Sequence, residues 1–119
     1  MKDETRSALL SLGMDLDQTL ARFVGNEALL LKFLKRFLED KTYGQLTQAL
    51  AERDAEAGFH AAHTLKGVAG NLGLGGVFNA ISPMVEALRS ANPDSAGAMF
   101  EEVAAQYALA IQTIQAISE

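Results

Sequence analysis

Cysteine and tryptophan are absent from this 119-residue sequence, and proline and histidine occur only twice each. Without cysteine there can be no disulfide, no thiolate nucleophile and no cysteine-ligated zinc. Two histidines leave few ligands for other metals, so no metal is expected. No apolar run approaches the roughly 18 to 20 residues of a membrane span. The first residues, MKDETRSALLSLG, carry acids where a secretory leader needs a basic and then an apolar stretch, which favours a cytoplasmic location and no membrane partner. Basic residues are scarce in the second half, where only Lys66 and Arg89 follow residue 54, and the net charge is −5. A surface that tracks nucleic-acid phosphates is therefore not expected. No glycine-rich phosphate loop ending in Lys-Ser/Thr and no kinase signature set is present, so the chain should bind no nucleotide cofactor and act as no enzyme on its own.

What is present is helical periodicity. At 49% hydrophobic and 21% charged residues, the chain has the composition of one globular domain over residues 1–119. Residues 3–12 suit a short helix ended by Gly13. Asp15 or Asp17 can cap a second, with Leu16, Leu20, Phe23 and Val24 as its apolar edge and Gly25 as its stop. Asn26 is the next cap. Leu30, Phe33, Leu34, Phe37 and Leu38 then keep the 3-and-4 spacing of a buried stripe, which shifts phase near residues 41–44. The segment to Arg53 is one bent helix or two abutting ones. Asp54 caps a helix that Gly73 and the Gly75-Gly76 pair should end. Val77, Ile81, Met84, Val85 and Leu88 share one side of the following helix, where Pro83 predicts a kink near residue 80. Asn92-Pro93-Asp94 opens a last helix running to the C-terminus. Phe33, Phe37, Met84, Met99 and Phe100 read as core fillers. The expected fold is all-α, an antiparallel four-helix bundle with short additional N-terminal helices.

The stretch 59–74, FHAAHTLKGVAGNLGL, departs from this plain pattern. Wound at about 100° per residue, it puts Leu65, Val68 and Leu72 on one face with Ala61 and Ala69 beside them. The opposite stripe holds Phe59, His60, His63, Lys66, Gly67, Gly70, Asn71 and Leu74. Glycine within a helix costs roughly 1 kcal/mol relative to alanine, and here it falls on the face that does not pack inward. Clearance for an approaching protein is a gain that would offset the cost. A neutral imidazole has a free lone pair and can attack phosphorus without a base, and Lys66, one turn away, can neutralise phosphoryl oxygens.

His63-Thr64-Leu65-Lys66-Gly67-Val68-Ala69-Gly70-Asn71-Leu72-Gly73 resembles the His-x-x-Lys-Gly-x-x-Gly/Ala/Ser-x-x-Gly signature of histidine-containing phosphotransfer (HPt) domains. The Phe23-Val24-Gly25-Asn26-Glu27 turn and the Phe37-Leu38-Glu39-Asp40 run are similar as well, and the likeness covers about residues 14–117. The resemblance implies a helical bundle that takes a phosphoryl group from a receiver aspartate or a histidine kinase and passes it to another receiver aspartate. It makes His63 the phosphoacceptor, Lys66 its electrostatic helper, and Gly67 and Gly70 the clearance. The partners it implies are receiver domains of response regulators or a hybrid histidine kinase. Nothing in the sequence demands a dimer, so a monomer is expected. Many relatives carry Glu or Gln where this chain has Val85. Glu86 is then the candidate, a weak one, for orienting the imidazole.

Phe59, His60, Asn71 and Leu74 complete the expected partner-binding face. Two other readings stand beside the phosphorelay. One is a metal site made from Glu56, His60 and His63, which share a helical face. The other is a helical interaction module that never carries phosphate.

Overall fold

The computed structural model describes residues 1–119 and contains helices and turns without strands. α1 spans Asp3–Leu10 and α2 Leu16–Arg22, the latter capped by Asp15, whose carboxylate accepts from the Gln18 N–H at 3.1 Å. α3 spans Glu27–Phe37 and opens on Asn26, which accepts from the Leu29 N–H at 3.0 Å. α4 is Thr42–Ala51, and α5 is Ala55–Leu72 with Asp54 at its cap. α6 covers Gly75–Arg89, α7 Pro93–Ala98 and α8 Phe100–Gln115. Polar side chains of the Asp/Asn type thus open four helices, each accepting from one otherwise unpaired amide of the first turn.

α5 is the central element. It packs on α4 and α6 and also touches α2 and α3, while α8 closes the ring against α6 and α3. The four walls of the bundle are therefore α3 with α4, then α5, α6 and α8. One hydrophobic cluster fills the interior and reaches from Leu9, Leu12, Met14 and Leu16 to Ile114. The N-terminal helices share that core. α5 meets its neighbours through small residues: Gly58, Ala61, Ala62 and Ala69 are buried, and a methyl at Gly58 would come within 3.2 Å of Leu88.

Between α3 and α4 the chain forms two helices. The amides of Leu38, Glu39 and Asp40 tighten onto carbonyls three residues back, and the Asp40 carboxylate accepts from the Thr42 N–H at 2.8 Å. The expected last helix also divides, because Met99 donates to Ala96 three residues back and separates α7 from α8.

Three further expectations are corrected. Gly75 and Gly76 open α6 instead of closing α5. The close packing of this turn explains why they are glycines: a Cβ on Gly75 would lie 2.1 Å from the Gly13 carbonyl oxygen, and the Gly76 N–H donates to Leu12 at 3.0 Å. Val24, expected on an apolar edge, is 92% exposed at the turn after α2, with a positive φ of 57°. Phe33, expected in the core, is 38% exposed. Pro83 does not end α6, which continues through it with the proline on the exposed side.

Candidate phosphotransfer site

α5 is fixed at both ends by the sequence around it. Asp54 accepts from the Ala57 N–H at 3.0 Å, and Gly73 ends the helix in the left-handed region at φ 73°. The last carbonyls are occupied by the Arg22 guanidinium of α2, which donates to Gly70 at 2.9 Å and to Asn71 at 3.2 Å. This gives the Asn71 carbonyl a partner, adds a second to the Gly70 carbonyl beside the long 3.4 Å bond from the Gly73 N–H, and puts a cation at the negative end of the helix dipole.

Between these ends, His63 is exposed on the outer face. It borders a concavity of about 250 Å³ lined with Lys66, Gly67, Gly70, Asn71, Phe78 and Arg89. Both cations are held by aromatic rings. The Lys66 ammonium lies 5.4 Å from the Phe78 ring centre, and the Arg89 guanidinium lies 5.0 Å from that of Phe59. The imidazole is stacked on the Phe59 ring, with centroids 5.6 Å apart and planes 16° apart. His60 meets the same phenyl ring edge-on at 5.8 Å.

Two predicted glycines behave differently. A Cβ on Gly67 would meet nothing within 4 Å, so that part of the helix is open to an incoming molecule. A Cβ on Gly70 would press within 3.3 Å of the Phe78 ring, so Gly70 chiefly makes room for its own neighbour. Asn71 is exposed at the far rim. Leu74 is wholly buried, because the left-handed turn at Gly73 swings it inward as the residue before α6, and it cannot meet a partner. Val85 is buried too, and Glu86 pairs with Arg89 at 3.3 Å instead of with His63. Glu56, His60 and His63 do not converge on a metal position, and no group of three His, Cys, Asp or Glu side chains anywhere does so.

Beside this concavity lies a larger apolar groove of about 610 Å³, running between the end of α2, α3 and α5. Phe23, Phe33 and Val68 give it its apolar wall, Arg22 and Arg36 stand at its edge, and Asn71 borders both depressions. Phe23 and Phe33 pack at 5.5 Å, with the Arg36 guanidinium 5.4 Å from the Phe33 ring centre.

A family model described as the Hpt domain matches residues 29–117. The chain belongs to the Hpt domain family. Histidine phosphotransfer in phosphorelay signalling, and interaction with receiver domains, follow from that membership. No curated protein and no solved structure gives a significant match. Within this Hpt domain, Arg89 and Phe78 are the site residues that sequence reasoning missed. Both come from α6, and nothing local in the sequence ties them to α5. A usable signal did exist for Phe33: it sits about 60° to one side of Leu30 on the helical wheel, at the edge of the buried stripe.

Proposed function

We propose that this Hpt domain carries the phosphoryl group of a multistep phosphorelay on His63, taking it from a receiver aspartate or a histidine kinase and delivering it to a receiver aspartate. The observation that carries this reading is an exposed imidazole beside an open concavity that also gathers a lysine and an arginine, in a chain whose net charge is −5. In the forward step the lone pair of one ring nitrogen attacks phosphorus. The N–P bond forms as the bond from phosphorus to the aspartyl oxygen breaks, and the carboxylate leaves with that electron pair. The other ring nitrogen keeps its proton, so no general base is needed. Delivery to the next receiver is the same exchange in reverse. Lys66 and Arg89 offset the charge on the phosphoryl oxygens, which is most of what such a loose transition state requires of its surroundings.

Phe59, His60, Gly67 and Asn71 form the inner part of the docking face, and the groove around Phe33 extends it. A receiver covering both meets a single surface, since Asn71 borders each. Contact of this kind is transient, because a carrier must release each partner after transfer. The test is incubation of the protein with a phosphorylated receiver. Wild type should gain an acid-labile, base-stable label, and His63→Gln should remain folded and take up none. Normal labelling of His63→Gln would overturn the assignment, and receiver binding without label on either protein would favour the phosphate-free interaction module.

A further inference from the structure

We propose that Phe59 is a positioning residue, whose ring sets the plane of the His63 imidazole by stacking. This rests on the phosphorelay reading and adds to it the means by which the nucleophile is aimed. An exposed histidine has a broad, loosely defined torsion about its ring bond, so the direction of the attacking lone pair is poorly fixed unless something lies against the ring. No carboxylate of α6 orients the ring: Val85 is buried, and Glu86, the one acid of that helix, is engaged by Arg89.

What does lie against the imidazole is an aromatic face. Phe59 precedes His63 by one helical turn, so the two side chains lie one above the other on the same side of α5. The 5.6 Å centroid separation and 16° interplanar angle are those of an offset stack. The phenyl ring is itself held: it is half-buried and packs on the core cluster, and the Arg89 guanidinium lies over it at 5.0 Å. Arg89 is in turn paired with Glu86. A line of contacts therefore runs from Glu86 through Arg89 and Phe59 to the imidazole, joining α6 to the nucleophile on α5. The same stack favours the transferred state. With phosphate on one nitrogen and a proton on the other, the ring is cationic and gains from the electron-rich phenyl face.

The experiment compares wild type, Phe59→Leu and Phe59→Tyr in two measurements: the NMR shifts of the His63 ring protons, and single-turnover labelling by a phosphorylated receiver across receiver concentrations. In Phe59→Leu the ring-current displacement of the His63 protons should disappear. The saturating rate should fall about tenfold, as expected for a misaimed reactant, over and above any rise in the half-saturating receiver concentration from losing a ring of the docking face. Phe59→Tyr keeps the ring and should restore both. Thermal melting reports on folding, and Phe59→Met serves as a second ringless variant if the leucine variant melts early. Unmoved ring protons, or full-rate transfer by a folded ringless variant, would overturn the positioning role alone. A wild type that takes no label would overturn the relay reading and this inference together.

Discussion

Lys66 and Glu86 are both charged residues near His63, and their contacts separate their roles. Lys66 borders the same concavity as the imidazole, with its ammonium held over Phe78. Glu86 reaches the site only through Arg89. Lys66→Ala should therefore keep labelling at His63 but slow it by about ten- to a hundredfold, the scale of losing a charged contact to phosphoryl oxygens. Glu86→Ala should cost only about two- to threefold, consistent with the small worth of an exposed ion pair. Single-turnover transfer from a receiver measures both, and equal losses would refute the ranking. Gly67 gives a sharper contrast, since its substitution should help the fold and hinder the function. A Cβ there meets nothing, so Gly67→Ala should stabilise the protein by about 0.5 to 1 kcal/mol through helix propensity, read as a higher denaturant midpoint. Transfer from a receiver should nevertheless slow, because the methyl stands in the open patch. His63, Lys66 and Gly67 were legible because a single helical register carries them all. Arg89 and Phe78 were not, since they reach the site from α6 and their approach is set by how two helices pack.

The helices were most legible where their ends carry their own chemistry. Asn26 and Asp54 cap the helices that their side chains predict, Asp15 is the one of the Asp15/Asp17 alternatives that caps α2, and Asn92 opens a helix where expected, although that helix is only the short α7. Breaks made by tertiary packing are less so: the pattern leaves the division between α3 and α4 open, and Gly75-Gly76 reads as a stop signal although its glycines answer to the Gly13 backbone lying against them. α3 shows most clearly what periodicity alone cannot decide. Leu30, Leu34 and Phe37 are buried as the stripe demands, but Phe33 on its edge faces the groove shared with α2 and α5. Val68 has the same relation to Leu65 on α5, about 60° to one side, and it too is half-buried and borders the groove. Phe33→Ser tests whether this wall belongs to the docking face. With 38% of the residue already exposed, the fold should survive. Labelling by a phosphorylated receiver should fall about tenfold through weaker association, in line with loss of an aromatic anchor. Labelling by phosphoramidate, a donor too small to need the groove, should be unchanged. An equal loss with both donors would mean that Phe33 acts on the site or the fold and not on docking.

The bundle as a whole depends on joining its divided wall to α8, and an aromatic cluster makes that joint. Tyr43, in the first turn of α4, lies flat against Tyr107 of α8, with ring centres 3.9 Å apart and planes 5° apart. Phe37 from the end of α3 meets Tyr107 edge-on at 5.7 Å, and Phe100 lies 5.9 Å from Tyr43. Burial pushes both tyrosine hydroxyls above the ordinary phenol range, and the nearby Asp40 carboxylate and Tyr43 add to the effect at Tyr107. The fold therefore holds these protons more tightly than the unfolded chain does. This contribution to stability is fully present below the unfolded phenol value of about 10 and is lost as pH rises through the higher folded values. Thermal melts should be insensitive to the pair up to about pH 9 and should fall steeply above about pH 10. Growing negative charge on an already acidic chain also lowers stability in alkali, so the comparison that isolates the phenols is Tyr43→Phe/Tyr107→Phe. This variant keeps both stacked rings and removes both titrations, and it should lose distinctly less of its melting temperature over the same pH interval. Identical alkaline losses in the two proteins would mean that the aromatic joint does not govern the pH limit of the bundle.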